Sequence, residues 1–540
     1  MNILGIYIGG HDSNISISID GKVQYFKFER ILGKKHAQVQ LNEACKWVCN
    51  NYNFKPDIIV YSDGERNSLG KCFTEKELYK KLPDSIFYTS IKNQLKECCN
   101  TDTDEIYILD HHFTHTLSNW PVVDTEKQDF GIVVDGRGDQ EDRFTIFKNP
   151  YDIIQKELLD EGVYTKPENI LFKSTSFNAP AMLRNIGKLM GLKGNPLDIP
   201  GKIMGAYAYG TPDIEFVNHF LDQLKDPFNY FNFNPKTDPK DFINSMKLDQ
   251  YCSPPYDLTN SNFVNYLSSA HYLLGEIILK IIQKHCSKDS ILTYTGGVTQ
   301  NTVWNEVLYN NFNNLHLSPH CYDGGMSLGC LEFARILFNL PKLTINNFPY
   351  IQSDIVKETP DEQTIDKVVD LLVEGKIIGW MQGGGEVGPR ALGNRSILMH
   401  PGIKNGKNII NAKVKHREYW RPFAPSVLEE HTNEWFEIDE PSPYMLRAVK
   451  AKKSKLEEIK SVVHEDHTSR IQTVNKKQNP LYYKLISKFY KKTGIPLLLN
   501  TSLNAGGSPI FAHVQQVEQF FNDPKVDIDA ICVGNKLAIK

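Results

Sequence analysis

In Asp110-His111-His112-Phe113-Thr114-His115 two histidines stand four residues apart, and Asp135 follows in a glycine-rich turn about twenty residues later. On a helix His111 and His115 share one face a turn apart, the spacing at which two imidazoles grip one metal ion. A carboxylate from a neighbouring strand end then supplies a third donor, which is the make-up of an open, catalytic metal site. Spacing alone is weak evidence, since 16 His in 540 residues give about half of one such pair by chance. A second pair, His316 and His320, serves as the bland control, because Pro319 between them disfavours a helix.

A different chemistry is concentrated further on. Arg390, Arg395, Lys413, Lys415, Arg417 and Arg421 are interleaved with glycines and lead into the stiff segment Arg421-Pro422-Phe423-Ala424-Pro425. Guanidinium forks and ammonium groups around flexible backbone suit polyanionic small molecules such as ATP or an acyl phosphate. Scattered Lys and Arg usually make a solvated surface, but the Gly-Pro-Arg and Arg-Pro-Phe interleaving argues for a shaped pocket. The apolar run Pro496-Leu497-Leu498-Leu499 reads as a buried strand ending in Asn500-Thr501-Ser502-Leu503-Asn504-Ala505-Gly506-Gly507. Small hydroxyls and amides before glycines fit phosphate binding; from these residues alone a plain turn reads equally well. Arg470 adds another cation.

The elements that must position these groups are legible as short apolar runs between turn dipeptides. Residues 3–29 read as strand, Gly9-Gly10 turn, strand Ile15 to Ile19, Asp20-Gly21 turn and strand Lys22 to Phe28. The pattern recurs as Phe130 to Val134, the turn Asp135-Gly136-Arg137-Gly138-Asp139, and Arg143 to Phe147. Two such hairpins predict an internally duplicated α/β domain, with the two turns facing each other across a cleft and offering backbone N–H groups to phosphates. A third turn, Tyr294-Thr295-Gly296-Gly297-Val298, leads into a helix over Gln300 to Leu308, where a helix N-terminus favours anions. Around residues 340–360 periodicity is lost, which predicts a linker. A second domain then opens with an amphipathic helix from Asp361 to Glu374 and a strand from Ile377 to Met381.

Composition bounds the answer. The length predicts two to four domains, and 41% apolar and 23% charged residues are ordinary for a globular protein. A formal net charge of -3 gives no broad electrostatic reason to bind nucleic acid or an anionic membrane. Ten cysteines without a Cys-x-x-Cys pair indicate neither a thiolate zinc site nor a disulfide scaffold. No signal peptide and no membrane span are evident, so a reduced, cytoplasmic, soluble protein is expected.

Taken together, Gly9 to Ser13, Asp110 to His115, Asp135 to Asp139, Gly201 to Gly205, Thr295 to Val298 with Asn301, Asp323 to Gly325, Gly388 to Ser396, Lys415 to Pro425 and Asn500 to Asn504 resemble, in order, the NodU/CmcH family of O-carbamoyltransferases. The resemblance implies a duplicated actin/Hsp70-like (ASKHA, TsaD-like) ATPase fold over 1–345, a linker over 346–360 and a YrdC-like α/β domain over 361–540. The YrdC-like domain would join ATP, carried with Mg, and carbamoyl phosphate into carbamoyl-adenylate, and the TsaD-like domain would pass the carbamoyl group to an alcohol. That intermediate hydrolyses readily, so two sites in one chain shelter it from water.

By the same resemblance His111, His115, Asp135 and Asp323 are the metal ligands, with Fe(II) the ion of the family; the donors equally suit Zn or Mn. His11 is the candidate general base, as an imidazole of near-neutral pKa. Lys35 is a basic residue near the intermediate, with Lys34 contesting its register. Gly136, Lys202, Gly205, Gly296, Gly297 and Asn301 would hold the nucleotide in the first domain. Arg390, Arg395, Lys415, Arg417, Arg421, Arg470, Asn500, Ser502 and Asn504 would hold ATP and carbamoyl phosphate in the second, with Lys415-His416-Arg417 and Ser502-Leu503-Asn504 matching the Lys-x-Arg and Ser-x-Asn pairs of the YrdC lineage. The sequence departs from the family in the glycine-rich run Gly383 to Val387 and over residues 157–197, around the acceptor site. The acceptor class is a hydroxyl-bearing small molecule, whether sugar, aminoglycoside, polyketide or nucleoside-type, and a homodimer is a candidate assembly. Two other readings compete: a tRNA threonylcarbamoyl-type modifying enzyme, against which the acidic balance speaks, and a non-catalytic nucleotide-binding protein, against which the intact His, Asp, Lys-x-Arg and Ser-x-Asn sets speak.

Overall fold

The computed structural model describes residues 1–63, 77–82, 86–138, 141–155, 167–223, 252–352 and 355–540. Asp139 of the second glycine turn, Cys72, and 157–166 of the segment around the expected acceptor site lie outside the described residues.

Branched aliphatic runs between turns make the first sheet: β1 (Asn2–Ile8), β2 (Asn14–Ile19), β3 (Lys22–Lys27), β4 (Ile58–Asp63), β5 (Tyr79–Lys81) and β6 (Ile106–Leu109). The second contains β7 (Phe130–Val134), β8 (Phe144–Lys148), β9 (Ile170–Ser174), β10 (Ile291–Thr295) and β11 (Asn314–His316). Their orders, β3-β2-β1-β4-β6-β5 and β11-β10-β7-β8-β9, are the same plan used twice. Three antiparallel strands in sequence are followed by parallel strands, β1 beside β4 beside β6 and β7 beside β10 beside β11. The duplication expected from the two glycine-turn hairpins is therefore present, with β5 added at one edge.

The central strands β1, β6 and β7 are buried almost end to end, because helices cover them. Helix Met326–Leu337 lies against β1 and against helix His111–Leu117. The two helices approach so closely that a Cβ on Gly329 would stand 2.3 Å from the Thr114 carbonyl oxygen. Glycine there lets Asp323, just ahead of the one helix, come beside His111 and His115 on the other.

The third sheet has eight strands in the order β15-β16-β14-β17-β13-β12-β18-β19. They are β12 (Ile378–Met381), β13 (Arg395–Met399), β14 (Ala424–Leu428), β15 (Arg447–Lys450), β16 (Thr468–Val474), β17 (Leu497–Ser502), β18 (Ala530–Val533) and β19 (Lys536–Ile539). The buried residues of its core lie between 365 and 532, around Trp380, Leu398 and Phe489, with Val356, Val533 and Leu537 packed against them. We propose 1–345 and 361–540 as two domains joined by 346–360, with Leu446 of the second packed into the core of the first. Helix Glu362–Val373 starts where expected, with the Asp361 carboxylate accepting the Thr364 N–H at 2.8 Å. The strand at Leu497 runs further than its apolar residues suggest: Asn500, Thr501 and Ser502 continue it because they pair with Leu398, Ile397 and Ser396 of β13.

The joining segment is strapped down at both ends. At the β3 edge the Val23 N–H donates to Thr344 O at 2.9 Å and the Thr344 N–H to Gly21 O at 2.8 Å, Gln352 bridges to Tyr25, and Val356 bridges to Gly383 of the second domain. The domains also meet directly. Arg447 on β15 donates to both Glu306 carboxylate oxygens at 2.8 and 3.0 Å, the Tyr207 hydroxyl donates to Asp466 at 2.9 Å, and the Asn305 amide donates to the Leu446 carbonyl at 2.9 Å. Among the described residues no helix is long and apolar enough to cross a membrane.

Candidate active site

β6 delivers the chain to Asp110, whose carboxylate caps the next helix by accepting the Phe113 N–H at 2.9 Å. The cap starts the helix at His111, which makes His111 and His115 neighbours on one face, their rings 4.8 Å apart. Asp135 arrives from the end of β7 and Asp323 from the turn ahead of helix Met326–Leu337. One donor atom from each of the four lies within 4.8 Å of the others, and all four residues are buried.

The donor geometry tests whether a metal fits. His111 Nε2 is 3.4 Å from Asp135 Oδ2 and 3.8 Å from Asp323 Oδ1, and His115 Nε2 is 3.3 Å from Asp323 Oδ1. Donors about 2.1 Å from one ion at the tetrahedral angle stand about 3.4 Å apart. Both ring nitrogens of His115 are buried without a hydrogen bond, a cost that an ion removes. The outward carboxylate oxygens are held: Asp135 Oδ1 accepts the Gly297 N–H at 2.6 Å, and Asp323 Oδ2 accepts the Tyr7 hydroxyl at 2.6 Å. Such partners aim ligands at an ion. Burial alone would raise Asp135, but the His111 hydrogen bond and the surrounding imidazoles hold its carboxyl well below the usual range. His112 stays out of the set, its Nδ1 2.8 Å from Thr145 Oγ1.

His11 lies beside this cluster, its Nδ1 2.9 Å from Asp12 Oδ2 and 3.7 Å from Asp323 Oδ2. Burial works to lower its pKa, but the Asp12 hydrogen bond and the Asp323, Asp12 and Asp135 charges lift it to about 9. Without an ion on those carboxylates the His11 imidazole is thus shifted toward its protonated form, and a cation bound there would bring it back toward the near-neutral value expected from sequence.

Beneath His11 is a residue that sequence reasoning passed over. Lys27 is wholly buried, its ammonium 3.1 Å from Asp12 Oδ1 and 2.7 Å from Glu29 Oε1, and it donates to the Tyr322 hydroxyl. It ties together the His11 loop, the start of the segment carrying Lys35, and the residue next to Asp323. Asp12 has φ of +59°, a left-handed conformation unusual for aspartate. The one signal available was a lysine directly after the apolar pair Tyr25-Phe26 at the end of β3.

Lys35 and not Lys34 lines the cavity; Lys35 pairs with Asp198, and Lys34 is exposed. Lys202 bonds Glu418 of the second domain at 2.6 Å. Gly136, Gly205 and Gly297 line the cavity with Lys202. Gly296 does not line it: it has φ of +97° and a Cβ there would be 2.2 Å from the Val134 carbonyl oxygen, so it shapes the turn. Asn301 caps helix Thr302–Tyr309 and its amide lies 2.9 Å from His271 Nε2, leaving the residue at the cavity wall with its polar atoms engaged.

In the second domain Lys415 ends a short π-helical turn, Asn411–Lys415, and its ammonium donates to the Ser502 carbonyl, to the Asn504 carbonyl at 3.0 Å and to Asn504 Oδ1 at 2.6 Å. The Lys-x-Arg and Ser-x-Asn pairs therefore meet. Arg417 stacks over Phe423 at 4.7 Å and donates to Asn411 at 2.7 Å. Burial, then Arg417 and Arg421, push the Lys415 ammonium well down; burial, then Arg421, bring Arg417 to about 9; burial, then Arg390, Arg417 and Arg421, push Arg470 down. Arg470 Nε is buried without a partner. Five cations crowding one another in a low-dielectric wall form a site for polyanions.

One residue here departs from its expected place. Arg395 is fully buried behind the 383–394 loop, donating to the carbonyls of Gln382, Gly383 at 3.0 Å and Asn394 at 3.1 Å, so it shapes that loop and does not face the cavity. Asn500 reaches the wall, but its amide is tied to Ser426 at 2.9 Å and to Ala391 O at 3.2 Å. The glycine-rich departure is explained by Glu386, which is buried and accepts the N–H groups of Leu392, Asn394 and Arg395 at 2.8–3.1 Å; small residues let the loop fold around that carboxylate.

Both ends open into one cavity of about 1810 Å³, with His11, His111, Asp135 and Asp323 on one wall and Lys415, Arg417, Arg421, Arg470 and Asn504 on another. His115 stands behind the wall, fully buried.

Comparison with known proteins gives these matches. The family model "Carbamoyltransferase N-terminus" matches residues 63–331, and "Carbamoyltransferase C-terminus" matches residues 369–540. An uncharacterized protein of Methanocaldococcus jannaschii is 29% identical over 100% of this chain and 99% of its own. The nodulation protein NolO of Bradyrhizobium diazoefficiens is 34% identical over 63% of this chain and 65% of its own length. The 3'-hydroxymethylcephem-O-carbamoyltransferase of Amycolatopsis lactamdurans is 30% identical over 43% of this chain and 46% of its own. Among solved structures, the ROK hexokinase of Thermus thermophilus aligns at a TM-score of 0.30, 9% identity, over 62% of this chain and 98% of that one.

Proposed function

We propose a reaction for this chain, which belongs to the carbamoyltransferase family: ATP-dependent O-carbamoyl transfer through carbamoyl-adenylate, made at the Lys415 cluster and consumed beside His11. The observation that carries the proposal is the single cavity shared by the two sites. A carbamoyl-adenylate exposed to bulk water hydrolyses, so a wall-to-wall path between its maker and its consumer supports one working in series with the other.

At the first site Arg417, Arg421, Arg470 and Arg390 face the triphosphate and the carbamoyl phosphate, and Lys415, steered by Ser502 and Asn504, offers a fixed ammonium. The charges that depress one another in the free protein are relieved when phosphate oxygens arrive. Atoms balance as follows: carbamoyl phosphate and one water give carbamate and phosphate; carbamate oxygen attacks the α-phosphorus of Mg-bound ATP and diphosphate leaves. At the second site the acceptor hydroxyl oxygen attacks the carbamoyl carbon, AMP leaves, and the hydroxyl proton passes to His11 Nε2, with Asp12 holding the opposite ring nitrogen.

His111, His115, Asp135 and Asp323 would hold a metal ion, Fe(II) by family resemblance and Zn or Mn by donor type, that supplies Lewis-acid fixation of the phosphate and polarisation of the acyl group. Around it, Gly297 N–H and Tyr7 keep the carboxylates aimed, and the Arg447–Glu306 and Lys202–Glu418 pairs hold the two domains together around the cavity. The acceptor is a hydroxyl-bearing small molecule such as a sugar, aminoglycoside, polyketide or nucleoside-type compound.

The test is to incubate the protein with ATP, Mg, carbamoyl phosphate and Fe(II) and to screen pooled polyhydroxy metabolites by mass spectrometry for a carbamoyl increment, following AMP in parallel. Lys415→Ala should abolish AMP formation. His111→Ala should leave AMP formation from slow hydrolysis and abolish the carbamoyl product. Full turnover without consumption of carbamoyl phosphate would end the proposal.

A further inference from the structure

Away from the cavity, helix Leu41–Asn51 packs on helix Ile86–Cys99, and four cysteines meet at their contact. Cys45 and Cys49 stand one turn apart on the first helix; Cys98 and Cys99 end the second. The Sγ atoms of Cys45, Cys98 and Cys99 all lie within 4.8 Å of one another, and the Cys49 thiol is within hydrogen-bonding reach of Cys99. All four are at most 6% exposed. The other described cysteines, Cys252, Cys286, Cys321, Cys330 and Cys532, join no such group among the described residues.

Buried cysteine often serves as a small apolar filler, but filler does not require sulfurs to face one another. Four sulfurs about 2.3 Å from one tetrahedral ion stand about 3.8 Å apart, a separation that the 4.8 Å limit on the Cys45, Cys98 and Cys99 sulfurs accommodates. A disulfide needs about 2.05 Å and accounts for only two of the four. Neither sequence spacing nor the transfer chemistry assigns these residues a task.

We propose that Cys45, Cys98 and Cys99, with Cys49 completing the set, bind a thiophilic d10 cation, Zn(II) being the ion whose tetrahedral thiolate geometry the sulfur spacing fits. Each thiol that becomes a ligand releases one proton to solvent. The ion clamps the two helices together. Helix Leu41–Asn51 follows directly on the segment that puts Lys35 and His36 in the cavity wall, so the clamp steadies that wall.

The experiment uses the full chain, purified under reducing conditions and titrated with Cd(II) as a spectroscopic probe. Thiolate-to-cadmium charge transfer gives an ultraviolet band that the imidazole and carboxylate cluster cannot give. The band should saturate at one Cd(II) per chain, survive in the His111→Ala/His115→Ala double variant, and disappear in Cys45→Ala and in Cys98→Ala. Zn(II) should compete it away and protect the four thiols from alkylation, counted by intact mass; this second readout stands on the unmodified protein if the cysteine variants do not fold. A folded protein without the band, a band indifferent to Cys45→Ala, or thiols alkylated equally with and without Zn(II) would overturn the proposal. So would a disulfide among the four in the protein as isolated.

Discussion

Replacing Lys27 by methionine keeps the volume of the side chain and removes its charge, which isolates what the buried ammonium does. Its nitrogen is 2.7 Å from Glu29 Oε1 and 3.1 Å from Asp12 Oδ1, so those two carboxylate oxygens are no more than about 6 Å apart. Asp12 and Glu29 are each 7% exposed and Lys27 is fully buried. Without the ammonium the two anions repel by about 3 kcal/mol at an effective dielectric of 20, and each has lost its strongest partner. Breaking such a buried pair costs about 3–5 kcal/mol, part of which a protonated His11 recovers through Asp12. The pH dependence has a definite sign. In the native protein burial would raise Asp12, but Lys27 and His11 hold it well below the usual carboxylate range, a stabilisation present at neutral pH and lost only in strong acid. In Lys27→Met burial acts without Lys27, so the deficit should be largest near neutral pH and shrink as the carboxylates protonate on acidification. The assay is chemical denaturation of metal-free protein between pH 7 and pH 5, following the first domain's transition, with Lys27→Met/Glu29→Gln as the control that removes one of the two stranded anions and should recover about half of the loss. A deficit under about 1 kcal/mol, or one that does not vary with pH, would refute the reasoning that this lysine is the electrostatic keystone of the His11 loop.

Three further outcomes follow from named contacts. Tyr7→Phe removes the hydroxyl that Asp323 Oδ2 accepts at 2.6 Å, and should weaken metal retention about 10-fold or more in a chelator competition while leaving the fold intact. After chelation of metal, His11 should titrate near pH 9 by NMR, well above an ordinary imidazole; its raised pKa stabilises the fold fully below about pH 6.5 and loses that contribution as pH rises through about 9, so the stability gap to His11→Ala should close over that window by about 1–2 kcal/mol, a figure discounted for a side chain 35% exposed. Arg447→Ala strands the Glu306 carboxylate against the other domain; it should cost about 3 kcal/mol and, by loosening the cavity wall, raise the ratio of AMP released to carbamoyl product formed, which a coupled AMP assay and mass spectrometry read together.

The parts of this fold visible in the sequence are those set by local rules. Glycine-turn hairpins marked the duplicated sheets, and a four-residue spacing marked His111 and His115 on one helix face, because both depend on neighbours in the chain. What failed to show depends on partners hundreds of residues away. Lys27 reads as an ordinary exposed strand residue until Asp12, Glu29 and Tyr322 surround it. Arg395 reads as a phosphate ligand until three carbonyls of a folded loop enclose it. The cysteines show no metal spacing in the sequence, since Cys45 and Cys98 become neighbours only when two helices pack. Asp323 was reached through family resemblance, with no local pattern of its own.

The two ends of the cavity have opposite electrostatic character for one reason. Around His111 and Asp135 the protein gathers carboxylates with imidazoles, an arrangement completed by a cation; around Lys415 and Arg470 it gathers cations whose mutual repulsion depresses them, an arrangement completed by anions. Each end costs the free fold stability, which binding of the proposed ligands would return. The proposed carbamoyl-adenylate would fit this polarity: its phosphate would sit where cations are dense, and its uncharged carbamoyl end would be the part that advances toward the His111 cluster and His11. In the proposed reaction both ends share one cavity between the two domains, so the charge distribution itself would set the direction in which the intermediate travels.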